Sequence, residues 1–200
     1  MKMNMKKKAT AAFAAVMAFA AAGAWGQQAA PAPADAQKMA DMGPVPNPVS
    51  ATVKGQLPRF SKNIVAAAEA MPAEKYNFKP TPEMNTFAHL VMHTTQSNNI
   101  LCSKISGAAA PDVKYSDSDP KDKLVAALRA SFEFCTTALA SVDDSKLGEQ
   151  MMLFGSRPAS RAAALIGLSD GWNDHYGAEA VYLRLSGILP PTAQPQPEKK

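Results

Sequence analysis

Apolar residues recur at every third or fourth position in four stretches of the chain, and this spacing predicts four amphipathic helices. In the first two stretches the stripe consists of Val49, Val53, Leu57, Phe60, Ile64, Ala67 and Met71, and then of Phe87, Leu90, Thr94, Leu101 and Ile105. In the last two it consists of Leu124, Leu128, Phe132, Cys135, Leu139 and Val142, and then of Leu165, Leu168, Trp172, Tyr176, Glu179 and Leu183. No strand pattern competes with these stripes. The chain is therefore expected to be all-α, a four-helix bundle.

Residues with special backbone preferences mark the predicted ends of the helices. Pro72 ends the first helix, and Pro58 predicts a kink in it or a start just before it. Asp119 is the expected N-cap of the third helix, with Pro120 at its first position. Gly187 follows the fourth helix, where a left-handed cap needs no Cβ. The expected bounds of the second and fourth helices are about 86–105 and 159–186. Between the third and fourth helices, an apolar stretch of Met151, Met152, Leu153 and Phe154 is expected to tuck against the core.

The two ends of the chain lie outside this helical pattern. Four lysines, an apolar run over residues 9–22 and a small-residue cleavage site are typical of a secretory signal peptide. Alanine and proline dominate the next segment, which predicts a flexible linker with a short helical piece around residues 36–42. The predicted organisation is a signal peptide at 1–26, a linker at 27–48, the bundle at 49–191 and a disordered tail at 192–200.

The compartment and the charge balance restrict the partners. A signal peptide implies a periplasmic or secreted protein, and no cysteine follows the apolar run, so no stable membrane anchor is expected after cleavage. The whole chain has 21 Lys and Arg against 17 Asp and Glu, but four of the lysines lie in the signal. The mature chain then has 17 of each, and a nucleic-acid partner is not expected. A small-molecule substrate or ligand remains, and a homodimer is an open alternative to a monomer.

Two segments resemble the DinB-like superfamily of four-helix proteins. They are AAEAMPAEKYNFKPTPEMNTFAHLVMH at residues 67–93, and HYG followed by YLRLSGILPP within residues 174–191. The likeness covers roughly residues 49–191. It implies an up-down-down-up bundle whose second connection crosses back along the bundle. It also implies a metal-dependent enzyme, and some members of the superfamily act as thiol transferases or isomerases. The association with DNA damage in the superfamily's name is not carried over.

The superfamily's histidine pattern is incomplete in this chain. The resemblance places one metal ligand at His93 and a pair, four residues apart, on the fourth helix. The second member of that pair is His175, but the first falls on Gly171, which supplies no ligand. His89 and His93 are also four residues apart, the spacing at which two histidines on one helix face reach one metal.

Three interpretations of the histidines stay open. His89 replaces the missing ligand, and Zn²⁺, Ni²⁺ or a similar divalent ion binds His89, His93 and His175. Alternatively, Asp174 or Glu179 completes the site. In the third interpretation the metal is lost, no cofactor is present, and the pocket binds a small molecule or nothing. The expected function is that of an exported metal-dependent hydrolase or transferase. The alternative is a non-catalytic periplasmic bundle that binds a small molecule or serves a structural role. No catalytic residue is assigned.

The two cysteines, Cys102 and Cys135, each lie about 15 residues, or about 22 Å, into their helices. If the second and third helices run parallel, as the resemblance implies, the two sulfur atoms are level and a disulfide is expected in an oxidising compartment. If the two helices ran antiparallel, Cys102, which lies three residues from the end of its helix, would be about 18 Å from the level of Cys135. No bridge could form over that distance. The alternative is that both residues are small buried side chains in one layer of the core.

The signal peptide yields the first testable prediction. The mature protein is expected to start near residues 25–27, because the small-residue cleavage site lies just before them. Mass spectrometry of the protein from a periplasmic fraction measures this directly. Recovery of a chain that still carries residues 1–22 would contradict the prediction.

Overall fold

The computed structural model describes residues 34–155 and 157–195. These residues belong to two compact units, which divide between Gly43 and Pro44. The first unit contains helix α1 (Ala34–Asp41), where the sequence predicted a short helical piece at 36–42. The predicted signal peptide and residues 196–200 of the predicted tail lie outside the described residues. No helix in the described ranges combines the length and apolarity of a membrane span.

The second unit contains the four predicted helices. They are α2 (Pro48–Ala70), α3 (Phe87–Ser106), α4 (Lys121–Leu139) and α5 (Arg161–Leu185). Helix α2 continues through Pro58 without a break. The predicted N-cap of α4 is wrong by one residue: Pro120 is the cap, because its extended backbone makes Lys121 the first helical residue. The Asp119 carboxylate instead accepts hydrogen bonds from Ser116 N and Lys123 Nζ.

The directions of the four helices follow from the pairs of residues that meet between them. These pairs are Gln56–Ser169 and Phe60–Trp172 between α2 and α5, Asn98–Ser131 and Cys102–Cys135 between α3 and α4, and His93–His175 and Asn98–Trp172 between α3 and α5. Between α2 and α5, and between α3 and α4, both residue numbers increase from one pair to the next, so those helices run parallel. Between α3 and α5 one number increases while the other decreases, so these two helices run antiparallel. The expected all-α bundle with up-down-down-up topology is confirmed, and residues 107–120 form the long crossover.

A short hairpin in the connection before α5 differs from the sequence prediction. Strands β1 (Gln150–Met152) and β2 (Pro158–Ser160) pair antiparallel. Successive side chains of an extended chain point to opposite sides. Met151 and Leu153 therefore pack against the core, whereas Met152 is 50% exposed and Phe154 is 52% exposed. The expectation that all four residues tuck inward is wrong for those two, because the segment has the period of a strand.

A buried polar network ties three helices together at the centre of the core. Trp172 Nε1 donates a hydrogen bond to Asn98 Oδ1 at 2.8 Å, and Asn98 Nδ2 donates to Ser131 Oγ at 3.0 Å. The Trp172 ring also packs against Phe60 and Phe132 at centroid distances of 5.8 and 6.1 Å. Asn98 is only 1% exposed. Both polar atoms of its side-chain amide are therefore satisfied inside the bundle.

Glu179 is an acid buried within the apolar stripe of α5. It is 0% exposed, and neither carboxyl oxygen has a hydrogen-bond partner among the described residues. Burial raises the pKa of Glu179 well above its usual range, so that the neutral acid is favoured. Tyr76 lies near it and donates its hydroxyl hydrogen to Ala68 O at 2.6 Å. Burial, and then the nearby Glu179 carboxyl, raise the pKa of Tyr76.

Cys102 and Cys135 are joined by a disulfide between α3 and α4. Their Cα atoms are 5.2 Å apart, and both residues are fully buried. This Cα separation is within the ordinary range for a bridge. The parallel direction of the two helices places the two residues at the same level, as the sequence argument required.

The bridge predicts a measurable loss of stability when it is removed. The two cysteines are 33 residues apart in sequence. For a loop of this length we expect the Cys102→Ala, Cys135→Ala double variant to lose about 2–4 kcal/mol in the free energy of unfolding, as measured by urea denaturation. Thiol titration of oxidised wild-type protein in denaturant should find no free thiol, with the reduced protein as the control. Two thiols in the oxidised sample would rule the bridge out.

The buried acid predicts a pH dependence of stability. The folded-state pKa of Glu179 is raised above the unfolded value, so its contribution is fully favourable below about pH 4.3 and is lost as the pH rises toward the folded pKa. Between these two pKa values, the free energy of unfolding of wild type should fall by about 1.4 kcal/mol per pH unit relative to that of Glu179→Gln. Urea denaturation of both proteins over a pH series measures this difference.

The difference between the two proteins removes the contributions of all other titrating groups. Glu133→Gln is the matched control, because it makes the same substitution at an exposed position on α4. A constant difference between wild type and Glu179→Gln at every pH would contradict a neutral buried Glu179.

Candidate metal centre

His93 on α3 and His175 on α5 have adjacent rings. The surface between the two helices at this pair is called the groove below. Their ring centroids are 5.1 Å apart and the ring planes meet at 81°. His93 is exposed and His175 is half-buried, so the pair has one member at the surface and one that reaches inward. The structure thus brings together the two histidines that the resemblance placed at the site.

His89 lies one turn before His93 on α3 but makes a different contact. The two rings are nearly parallel, at 4°, with centroids 6.2 Å apart. His89 Nδ1 is 3.6 Å from Asp117 Oδ2, a carboxylate of the crossover. The backbone N of His89 donates to the side chain of the N-cap Thr86 at 3.0 Å. His89 therefore borders the groove while one of its ring nitrogens is directed at an acid. Sequence reasoning missed Asp117, because the crossover has no periodicity from which to place it.

Gly171 lies one turn before His175 on α5. A Cβ built at Gly171 would lie 3.8 Å from His175 Cε1, which is ordinary van der Waals contact, and it would meet no other atom within 4 Å. The backbone therefore leaves room for a side chain at this position, next to the imidazole of His175.

The two acids considered as substitute ligands do not join the histidines. Asp174 is exposed, and Glu179 is fully buried in the core. Within residues 34–155 and 157–195, no three His, Cys, Asp or Glu side chains lie close enough together to hold one metal ion. The donor set as it stands is the pair of His93 and His175.

The His93–His175 pair fits a metal ion, although the chain lacks the third histidine of the superfamily's pattern. Two imidazoles on one tetrahedral Zn²⁺, each with a Zn–N distance near 2.0–2.1 Å, have ring centroids about 5 Å apart, close to the separation seen here. Burial, and then the neighbouring His93, lower the pKa of His175, while Asp174 opposes the shift. The neutral imidazole is the form that binds metal. The environment of His175 therefore favours the form in which an imidazole can bind a metal.

Comparisons with known proteins agree with this architecture. The chain is similar to a DinB-like protein from Bacillus subtilis, with 20% identity, a TM-score of 0.58 and coverage of 72% of this chain and 99% of that one. A DinB-like protein from Bacillus cereus follows, with 18% identity, a TM-score of 0.56 and coverage of 66% and 89%. A conserved protein from Enterococcus faecalis has 16% identity, a TM-score of 0.54 and coverage of 68% and 95%. At these identities the likeness shows the fold alone. No curated protein matches the chain.

A family model gives the affiliation. The model of the DinB superfamily matches residues 56–168, which is more than half of the chain. The matched region contains His89 and His93, whereas Gly171 and His175 follow it in α5. Together with the helical fold, this match identifies the chain as a member of the DinB superfamily.

Proposed function

We propose that this chain is an exported member of the DinB superfamily that binds a divalent transition metal, such as Zn²⁺ or Ni²⁺, through His93 and His175. The separation of 5.1 Å between their rings, across antiparallel helices, is the observation that carries the proposal. A two-histidine site leaves coordination positions open to water or substrate, and an open position is what separates catalytic from structural zinc sites. The activity class that follows is a metal-dependent hydrolase or transferase acting on a small molecule.

The protein's own residues supply binding and orientation in this proposal. The half-buried His175 is one of the two metal ligands, and its burial favours the neutral imidazole. The exposed His93 is the other ligand. Gly171 leaves space beside the His175 ring for a part of the substrate. When bound, the metal would act as a Lewis acid toward water or a substrate thiol.

A second candidate function is a non-catalytic bundle that binds a small molecule without metal. The observation that favours it is the contact of His89 Nδ1 with Asp117, which engages the histidine that could replace the missing ligand. With glycine at position 171, only two imidazoles remain. Metal affinity decides between the two candidates.

Export and the absence of a nucleic-acid partner belong to the same proposal. They are supported by the signal-peptide pattern of residues 1–26 and by the equal numbers of acidic and basic residues in the remaining chain. Secretion also agrees with the disulfide between Cys102 and Cys135.

The metal site is tested by titration of the purified protein with Zn²⁺ and Ni²⁺. The protein is prepared without chelators or a nickel column, and its metal content is measured first. We expect binding in wild type and its loss in His93→Ala and in His175→Ala. His89→Ala should bind as wild type does, because His89 Nδ1 faces Asp117. Loss of binding in His89→Ala as well would support a three-histidine site.

Gly171→His is the matched gain-of-function variant. It restores the third ligand where the backbone leaves room, and we expect metal affinity to rise at least tenfold, or about 1.4 kcal/mol. Replacing a glycine inside a helix should not lower thermal stability. Gly167→His is the control, because it lies one turn farther from His175 on the same helix. Equal weak binding in wild type and in all the alanine variants would overturn the metal proposal and favour the non-catalytic bundle.

A further inference from the structure

Two residues on successive turns of α5, His175 and Glu179, hold half of the buried polar side-chain atoms that lack a hydrogen-bond partner among the residues that the structure describes. Six buried side-chain nitrogen or oxygen atoms lack a hydrogen-bond partner within the part of the chain that the structure describes. Three of the six are His175 Nδ1 and the two carboxyl oxygens of Glu179. Buried polar groups in native proteins are almost always satisfied, by protein or by ordered water. Such a concentration indicates that these atoms share a partner.

The geometry of α5 brings the two side chains to one face. Residues four apart on a helix have Cβ atoms about 5–6 Å apart and lie one above the other. His175 and Glu179 make no direct hydrogen bond, and no ion pair within 4.0 Å joins them in the described structure. A single water that makes two hydrogen bonds joins polar atoms about 5–6 Å apart, and side chains that start from Cβ atoms at a similar separation can place their polar atoms within that reach.

Burial favours the carboxylic acid form of Glu179, so the pairing requires no buried carboxylate. A neutral imidazole carries a hydrogen on only one of its two nitrogens, and the partner of that nitrogen decides the tautomer. In His175 it is Nδ1 that is enclosed, whereas Nε2 is not among the enclosed atoms.

We propose that Glu179 is a positioning residue for His175: His175 Nδ1–H donates to one bridging water, this water donates to the Glu179 carboxyl group, and the Nε2 lone pair is left free toward the groove. Histidines that bind metal commonly donate their other N–H to such a partner, which fixes both the tautomer and the orientation of the ring. The inference rests on the proposed metal function for its purpose, but the tautomer it assigns belongs to the metal-free protein.

Long-range ¹H–¹⁵N NMR of the metal-free protein at neutral pH reads the tautomer directly. We expect the Nδ1–H form for His175 in wild type. Glu179→Gln keeps a carbonyl acceptor of the same size and should keep this form. Glu179→Leu removes the acceptor and should shift His175 toward the Nε2–H form by at least tenfold. Asp174→Asn is the control: it changes the acid beside His175 but not the buried acceptor, and should leave the tautomer unchanged.

Zinc titration of the same variants gives the functional readout. Glu179→Leu should weaken Zn²⁺ binding by about 10–100-fold, and Glu179→Gln should stay close to wild type. A purely structural role would lower thermal stability in Glu179→Leu without moving the tautomer, so melting temperatures are measured alongside.

The outcomes separate this inference from the proposed function. Wild-type His175 in the Nε2–H form would overturn the role of Glu179 without any need for a folded Glu179→Leu variant. An unchanged tautomer in Glu179→Leu would overturn it as well. If wild type shows the expected tautomer but binds no Zn²⁺, the metal function fails while the positioning of His175 by Glu179 stands.

Discussion

The hydrogen bond from Trp172 Nε1 to Asn98 Oδ1 fixes how α3 and α5 lie against each other. It joins two buried groups, and separating them leaves a donor and an acceptor unpaired in the core, at about 1–3 kcal/mol each. His93 precedes Asn98 by five residues, and His175 follows Trp172 by three. In antiparallel helices these offsets run in the same direction, about 7.5 and 4.5 Å along the axis. The register set in the core therefore decides that the two imidazoles meet at the groove.

The same asparagine extends this constraint to a third helix. Asn98 Nδ2 donates to Ser131 Oγ on α4, and one turn farther along both helices the disulfide joins Cys102 to Cys135. Apolar contacts alone tolerate small sliding between helices, whereas a directional polar contact and a covalent bridge do not. Helix α3, which carries His93 opposite His175, is thus held in a fixed register against α4 and α5.

Much of this arrangement was predictable from sequence, and the exceptions have physical reasons. Helical periodicity placed His93, His175 and Glu179 on their helices, because an amphipathic helix repeats one pattern over many residues. Periodicity could not show that the Glu179 carboxyl would lack a hydrogen-bond partner, because the groups that could bond to it lie on neighbouring helices. Asp117 was unpredictable for a related reason: an aperiodic crossover carries no signal for where its side chains lie. The hairpin was missed because strands of three residues are too short for alternation to stand out.

Glycine at position 171 and glutamate at position 179 flank His175 by one turn on either side, and they affect it in opposite ways. Gly171 removes a neighbour on the groove side and leaves open space beside the ring. Glu179 places a polar group on the core side, where an uncompensated carboxyl is unfavourable. A bundle that needed only stability would gain from an apolar residue at 179, so this acid is not explained by packing. An unfavourable buried group is expected where a protein trades stability for the control of a functional side chain. On this argument Glu179 serves His175 rather than the packing of the core.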